Sequence, residues 1–204
     1  MSKRGYGIDF DEHRQMSPFD AILLECRYIL LYDEINNESA RDVNTKLLGM
    51  SIKYPKAPIY LEINSQGGSV SDGIAILNTI QQIQNPVITI INGEACSMAG
   101  FISVVGDKRF ITHNSFWMGH PMQDVVGGTP RTIKDRGVYL EKLEEDMQKI
   151  FKTKTKLNDV EFQKMMHGEL WLDADIALQK GIVDAILESP ISLRKRQASR
   201  RRKK

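Results

Sequence analysis

The sequence predicts an α/β domain, and three observations carry that reading. Apolar runs of strand length alternate with segments of helical periodicity, the connections between them are short, and no repeat of fixed period interrupts the order. The 204 residues include 41% hydrophobic and 26% charged side chains. That is the balance of a globular chain rather than a disordered or collagenous one, and the length suits one domain with an appendage.

Each element has its own signal. Residues 27–33 (RYILLYD) form a short apolar run suited to a buried strand. Asn36 and Asn37 offer a cap for a helix carrying Ala40, Val43, Leu47 and Met50 on one face, and Pro55 stops it. A strand at 58–63 leads through a glycine turn into a helix with Val70, Ile74, Leu77 and Ile80 at helical spacing, and a strand at 87–91 follows. Residues 101–105 read as an apolar helix, and 117–120 as the end of an apolar strand. A long charged helix spans 130–156, with Pro130 near its first turn and Ile133, Leu140, Leu143, Met147 and Ile150 as its apolar stripe. Trp171 and Leu172 make a brief strand, Asp173 caps a helix over 174–180, Gly181 stops it, and 182–186 is expected to be the last strand.

No stretch approaches the roughly 20 apolar residues of a bilayer-crossing helix. The opening MSKRGY lacks the apolar centre of a signal peptide, so a cytoplasmic protein without membrane contact is expected. Cys26 and Cys96 are too few for a disulfide framework. Residues 194–204 contain eight basic side chains and no acid, leaving 20 basic against 26 acidic side chains before them. Such a run buries nothing; it serves as a solubilising end or as a weak contact for nucleic acid. The expected division is an N-terminal segment at 1–26, a main domain at 27–188 and a basic tail at 189–204.

Four constellations can carry chemistry. Gly93 to Gly100 (GEACSMAG) follows an apolar strand and precedes a helix, which puts the Ser97 hydroxyl at the positive end of a helix dipole beside unpaired amides. Its spacing is not that of the G-x-S-x-G elbow, and a capping serine among small residues fits the same letters. Asn64 to Val70 (NSQGGSV) pairs glycines between a strand and a helix, as an oxyanion hole, a peptide-binding edge or a plain turn requires. The lysine of a phosphate-binding loop is missing. His120 ends a strand where a base can emerge, although a hydrogen-bonded structural histidine also fits. His13, His113 and His167 join it in no common metal-ligand spacing, so no metal is expected. Glu169, Asp173 and Asp175 lie near the chain end; helix capping occupies Asp173, the helix dipole suits Asp175, and Glu169 has no structural task.

In this order the motifs resemble the ClpP family, the proteolytic subunit of the Clp protease. The resemblance covers about 27–187 and rests on INSQGGSVSDGIAI at 63–76, GEACSMAG at 93–100, KRFITHNSFWMGH at 108–120 and GIVDAI at 181–186. It implies a serine endopeptidase with Ser97 as nucleophile, His120 as general base and the amides of Gly68 and Met98 as oxyanion hole. Glu169 stands where the family has aspartate as the third triad member, with Asp173 as the competing carboxylate. An extended substrate is expected to lie beside Gly67, Gly68, Ser69 and Val70. The implied fold is crotonase-like, a spiral of β-β-α units with a protruding strand-helix handle at about 121–156. The implied assembly is a homo-heptamer or double heptamer that takes peptides and unfolded proteins, needs no cofactor and is fed by an AAA+ unfoldase.

The sequence also departs from the family. Gln66 replaces a proline, the glycines after His120 are missing, His167-Gly168 replaces an acidic residue and an arginine, and Glu62 replaces a tyrosine of the ATPase-docking pocket, while Tyr60 and Phe110 remain. Alternatives to the peptidase reading are a catalytically silent ring subunit, a viral head-maturation protease and a crotonase-fold enzyme acting on acyl-coenzyme A.

Overall fold

The structure is a computed structural model that describes residues 17–123 and 127–188. The basic tail and residues 1–16 lie outside the described residues. Among the described residues, seven helices and seven strands follow in the order α1 (Pro18–Glu25), β1 (Tyr28–Leu31), α2 (Asn37–Lys53), β2 (Ile59–Ser65), α3 (Val70–Gln82), β3 (Val87–Cys96), α4 (Ser97–Val105), β4 (Lys108–Thr112), β5 (Phe116–Gly119), α5 (Pro130–Lys154), α6 (Asp159–His167), β6 (Leu170–Asp173), α7 (Ala174–Gln179) and β7 (Ala185–Leu187). Among the described residues no helix is long and apolar enough to cross a membrane.

The α/β reading holds, and the sheet is mixed. Its path β1-β2-β3-β4-β7 is parallel throughout. β5 adds in parallel to the far end of β3, and β6 pairs antiparallel with β5. Parallel strands buried on both faces need largely apolar runs, which β2 supplies through Ile63 apart from Glu62, and β3 through Ile91 apart from Thr89. Ile59, Leu61 and Ile63 point into the main core with α2, α3 and α4, whereas Tyr60 alternates to the opposite face beside Tyr28, Ile88, Ile90 and Leu187. Leu23 of α1 and Phe110 of β4 pack on that second face.

Local chemistry explains the element ends. Asn36 accepts from the N–H groups of Glu38 and Ser39, and Ser39 Oγ accepts from the Asn36 N–H, closing a capping box ahead of α2. α2 buries the four residues expected from its periodicity. Asp173 Oδ1 accepts from the Ile176 N–H at 2.8 Å as the cap of α7, and Gly181, at φ +65°, stops that helix.

Two expectations need correction. The last strand is not at 182–186 but at Ala185–Leu187. Ile182 belongs to the helix stop: its N–H donates to Ala177 O at 2.9 Å, and Ile182 and Val183 are buried in the main core. The strand begins only after Asp184, where it meets β4. The long helix ends at Lys154, capped at Thr155, and a second helix, α6, follows it.

Candidate active site

Ser97 opens α4 directly after β3, half-buried, with φ +55°. A positive φ at a residue with a β-carbon is costly and is tolerated where the surrounding structure holds it. The strand-to-helix turn therefore has the character of a nucleophile elbow although its letters differ from that motif. Small neighbours make it possible. Gly100 lies so close to β5 that an added β-carbon would stand 2.8 Å from Met118 O and 3.0 Å from Ala95 O.

The same close approach brings His120 in. Trp117, wholly buried in β5, donates from Nε1 to Gly100 O at 3.0 Å. Truncating a buried tryptophan typically costs about 3–5 kcal/mol. With Ala95 paired to Trp117 and Cys96 to Met118, β5 runs alongside the Ser97 turn and delivers His120 one residue beyond its end. His120 is half-buried, and its Nδ1 is buried without a hydrogen-bond partner.

The paired glycines meet Ser97 from the other side. Gly67, at φ +95°, is packed so that a β-carbon would lie 2.7 Å from Cys96 O, 2.8 Å from Ser97 Cβ and 3.0 Å from Met98 N. Gly68, at φ +142°, forms a parallel bridge to Ile35, in which Ile35 N–H donates to Gly67 O and Ser69 N–H to Ile35 O, each at 2.7 Å. A bridge of this kind uses the neighbours' groups and turns the N–H of Gly68 the other way. Met98, in the first turn of α4, also has an N–H with no intrahelical carbonyl to meet. Two donors of the kind an oxyanion needs thus belong to segments packed on Ser97. Ser69 caps α3 through its hydroxyl, accepting from Asp72 N–H at 3.4 Å.

Ser97, His120, Gly68, Met98 and Val70 line one cavity of about 300 Å³. Its far wall is apolar, built by Phe101, Met147, Phe151, Phe162, Met165 and Met166, with Glu144 and Gln148 at the side. Methionines of this density make a wall that adapts to the shape of a large apolar side chain. The sequence reading placed Met147 on an apolar stripe but missed α6, which supplies Phe162, Met165 and Met166. Its signal was available: Asn158 and Glu161 form a capping box, with Glu161 N–H to Asn158 Oδ1 at 2.9 Å and Asn158 N–H to Glu161 Oε2 at 3.0 Å.

The three carboxylates singled out in the sequence, Glu169, Asp173 and Asp175, do not line this cavity. Glu169 is exposed and accepts from Trp171 Nε1 at 2.8 Å, so it does not touch His120 Nδ1. It is nevertheless next in register, because Gly119 pairs with Leu170 and the following residue on each side is His120 and Glu169. Asp173 pairs with Phe116 at the opposite end of β6 and caps α7 there. Asp175 lies in the first turn of α7. Cys96, adjoining Ser97, is buried; burial, then Glu94 and finally Glu169 push its thiol up to about 12, which keeps it protonated and unreactive.

Comparison with known proteins identifies the family. The family model for Clp protease matches residues 11–190. The chain is 34% identical over 195 residues to ATP-dependent Clp protease proteolytic subunit 1 of Streptomyces avermitilis, covering 95% of this chain and 87% of that one. It is 33% identical over 171 residues to ATP-dependent Clp protease proteolytic subunit of Leuconostoc citreum, covering 81% and 84%. Against ATP-dependent Clp protease proteolytic subunit 1 of Chlamydia trachomatis it is 31% identical over 189 residues, covering 87% and 94%. With a serine at a strained strand-helix turn, a histidine on the same cavity and a family match across most of its length, the chain belongs to the Clp protease family of serine endopeptidases.

Proposed function

We propose that this chain is the proteolytic subunit of a Clp-type protease, cleaving peptide bonds through an acyl-enzyme at Ser97. The observation that carries the reading is the convergence of Ser97, His120, Gly68 and Met98 on one cavity. In that mechanism Ser97 Oγ attacks the scissile carbonyl while His120 accepts the hydroxyl proton. The oxyanion is held by the N–H groups of Gly68 and Met98. Collapse breaks the C–N bond, and the proton on His120 passes to the departing amine. Water, deprotonated by His120, then attacks the ester and frees Ser97. Glu169 is the carboxylate that stabilises the imidazolium, supported by its register next to His120; Asp173, engaged as a cap at the other end of β6, has less support.

Gly68 to Val70 forms the edge along which an extended peptide lies, and the apolar wall from α5 and α6 receives the side chain before the scissile bond.

The assembly we infer is a homo-heptameric ring, single or doubled, with the crotonase-like spiral as its body and α5 as its handle. What supports this is the surface of α5: of its 25 residues only Phe151 is buried, while Ile133, Val138 and Tyr139 stay exposed on the protomer. Apolar groups left open on a long charged helix mark a contact with another subunit.

An ATP-driven Clp unfoldase supplies folded substrates in this reading. Glu62, where a docking tyrosine stands in the family, does not present a bare charge. Its carboxylate accepts from the hydroxyls of Tyr28 and Tyr32 and from Asn92 Nδ2 at 2.8 Å, and it is buried. Burial first, then Glu62, raises both tyrosines, Tyr32 to about 12. The apolar neighbours Tyr60 and Phe110 are therefore not displaced by an unpaired charge.

The experiment is hydrolysis of a fluorogenic peptide with a large apolar residue before the scissile bond. Wild type should cleave it and Ser97→Ala should not; cleavage retained in Ser97→Ala overturns the reading.

A further inference from the structure

His120 Nδ1 is buried without a partner, and Glu169, the residue next to it in register, directs its carboxylate to Trp171 instead. Met118 opposes Trp171 and Gly119 opposes Leu170, so the antiparallel pairing of β5 and β6 puts His120, Glu169 and Trp171 on the same side of the ribbon. Residues directly opposed on such a pair have β-carbons about 4.5–5.5 Å apart. A glutamate side chain spans that separation by rotation alone, without backbone movement. Trp171 is 49% exposed, so its ring is not needed in the core, and its indole N–H is a donor only.

We propose that Trp171 is a positioning residue for the catalytic carboxylate. Its indole N–H holds Glu169 parked away from His120, and the triad closes when Glu169 exchanges this hydrogen bond for one from His120 Nδ1. The inference rests on the assignment of Ser97, His120 and Glu169 made above. Both positions satisfy the carboxylate, but only the second satisfies the buried Nδ1, and an unmade hydrogen bond on a buried group favours closure. The competition is therefore between one exposed donor and one buried donor. Closure gains further as positive charge develops on His120 during attack by Ser97, because a carboxylate stabilises imidazolium. The parked state keeps the resting site unpolarised, and the reaction itself draws the carboxylate in. Cys96 on β3 is acted on by both Glu94 and Glu169 and remains protonated, and Glu144 of α5 shares the cavity with His120.

The test is Trp171→Phe, which keeps the ring and deletes the donor, measured as kcat, KM and pH profile on a peptide substrate. Removing one competing hydrogen bond should raise kcat by about twofold to tenfold. KM should hold, since Trp171 does not line the cavity. The acid limb of kcat/KM should move to higher pH, because a carboxylate on His120 favours its protonated form. In a Glu169→Ala background, which leaves nothing for the indole N–H to hold, Trp171→Phe should change neither rate nor profile. An unchanged rate and profile in Trp171→Phe, a loss of activity, or a gain that persists with Glu169→Ala overturns the proposal. A second measurement needs no Trp171 variant. The chain has two tryptophans, so 5-fluorotryptophan labelling gives two fluorine resonances, and Glu169→Gln should shift that of Trp171 and leave that of Trp117 in place. An unmoved Trp171 resonance contradicts the hydrogen bond on which the parked state depends. Failure of wild type to cleave peptides at all overturns the peptidase assignment and this proposal together, whereas an active wild type with an indifferent Trp171→Phe overturns this proposal alone.

Discussion

Gly67 and Ser97 approach so closely that a β-carbon on the glycine would lie 2.8 Å from Ser97 Cβ. No pair of real β-carbons packs that tightly, so the space in which Ser97 sits exists because residue 67 has no side chain. Gly67 is also at φ +95°, a conformation that alanine avoids. Gly67→Ala should accordingly lower kcat/KM by about 100-fold or more, the scale of losing one oxyanion donor. The neighbours it would push on are the backbone of Cys96 and Met98 rather than a flexible side-chain tip. Steady-state kinetics and a thermal melt check this together: the prediction fails if activity stays within a few-fold of wild type.

In the proposed mechanism the cavity wall sets the preferred residue before the scissile bond. A volume of about 300 Å³ lined by Phe101, Met147, Phe151, Phe162, Met165 and Met166 suits leucine, methionine or phenylalanine over glycine or aspartate. Each methylene in such a pocket is worth roughly 10-fold or more in kcat/KM. A peptide series varied only at that position should therefore rank with apolar size, and Met147→Lys should flatten the ranking. A series with no dependence on apolar size would show that the wall is not the specificity pocket.

Arg109 ties the last strand to the sheet. Its Nη2 donates to Asp184 Oδ1 at 2.7 Å, its backbone N–H to Asp184 Oδ2 at 2.9 Å, and its Nη1 to Lys154 O and Gly181 O at 2.7 and 2.9 Å. Burial alone would raise the Asp184 carboxyl, but hydrogen bonds and charge from Arg109 outweigh it and hold the group below the usual range. A carboxyl depressed by folding stabilises the native state above its unfolded pKa of about 3.9 and loses that contribution as pH falls through the lower folded value. Asp184→Asn should cost about 0.5–1 kcal/mol at neutral pH, discounted for partial exposure, and nothing in strong acid. Denaturant unfolding at a series of pH values reads this directly; a cost that does not shrink in acid would contradict it.

Much of the site is legible in the letters, because it depends on backbone and spacing. Paired glycines, a serine after an apolar strand and a histidine after another specify where chain ends meet, and the fold brings these together on one cavity. What was not legible depends on tertiary contacts. β3 runs on through Asn92, Gly93 and Glu94, poor strand formers, because Asn64 Oδ1 accepts from Glu94 N–H at 3.1 Å and Ser115 Oγ from Gly93 N–H at 2.8 Å. β4 begins with Lys108 and Arg109 and has one fully buried side chain, Ile111, so its pattern is hidden by charge. The choice of Glu169 between Trp171 and His120 is a matter of side-chain rotation that no spacing encodes.

The proposed peptidase reaction stands on Ser97 as a nucleophile activated by His120. Mass spectrometry after treatment with a serine-directed fluorophosphonate tests it most directly, since the reagent bonds to a hydroxyl made nucleophilic by an adjacent base. One adduct per chain is expected, mapped to the peptide containing Ser97 and lost in His120→Ala. No adduct on the wild-type chain, or an adduct on another residue with Ser97 unmodified, would contradict it.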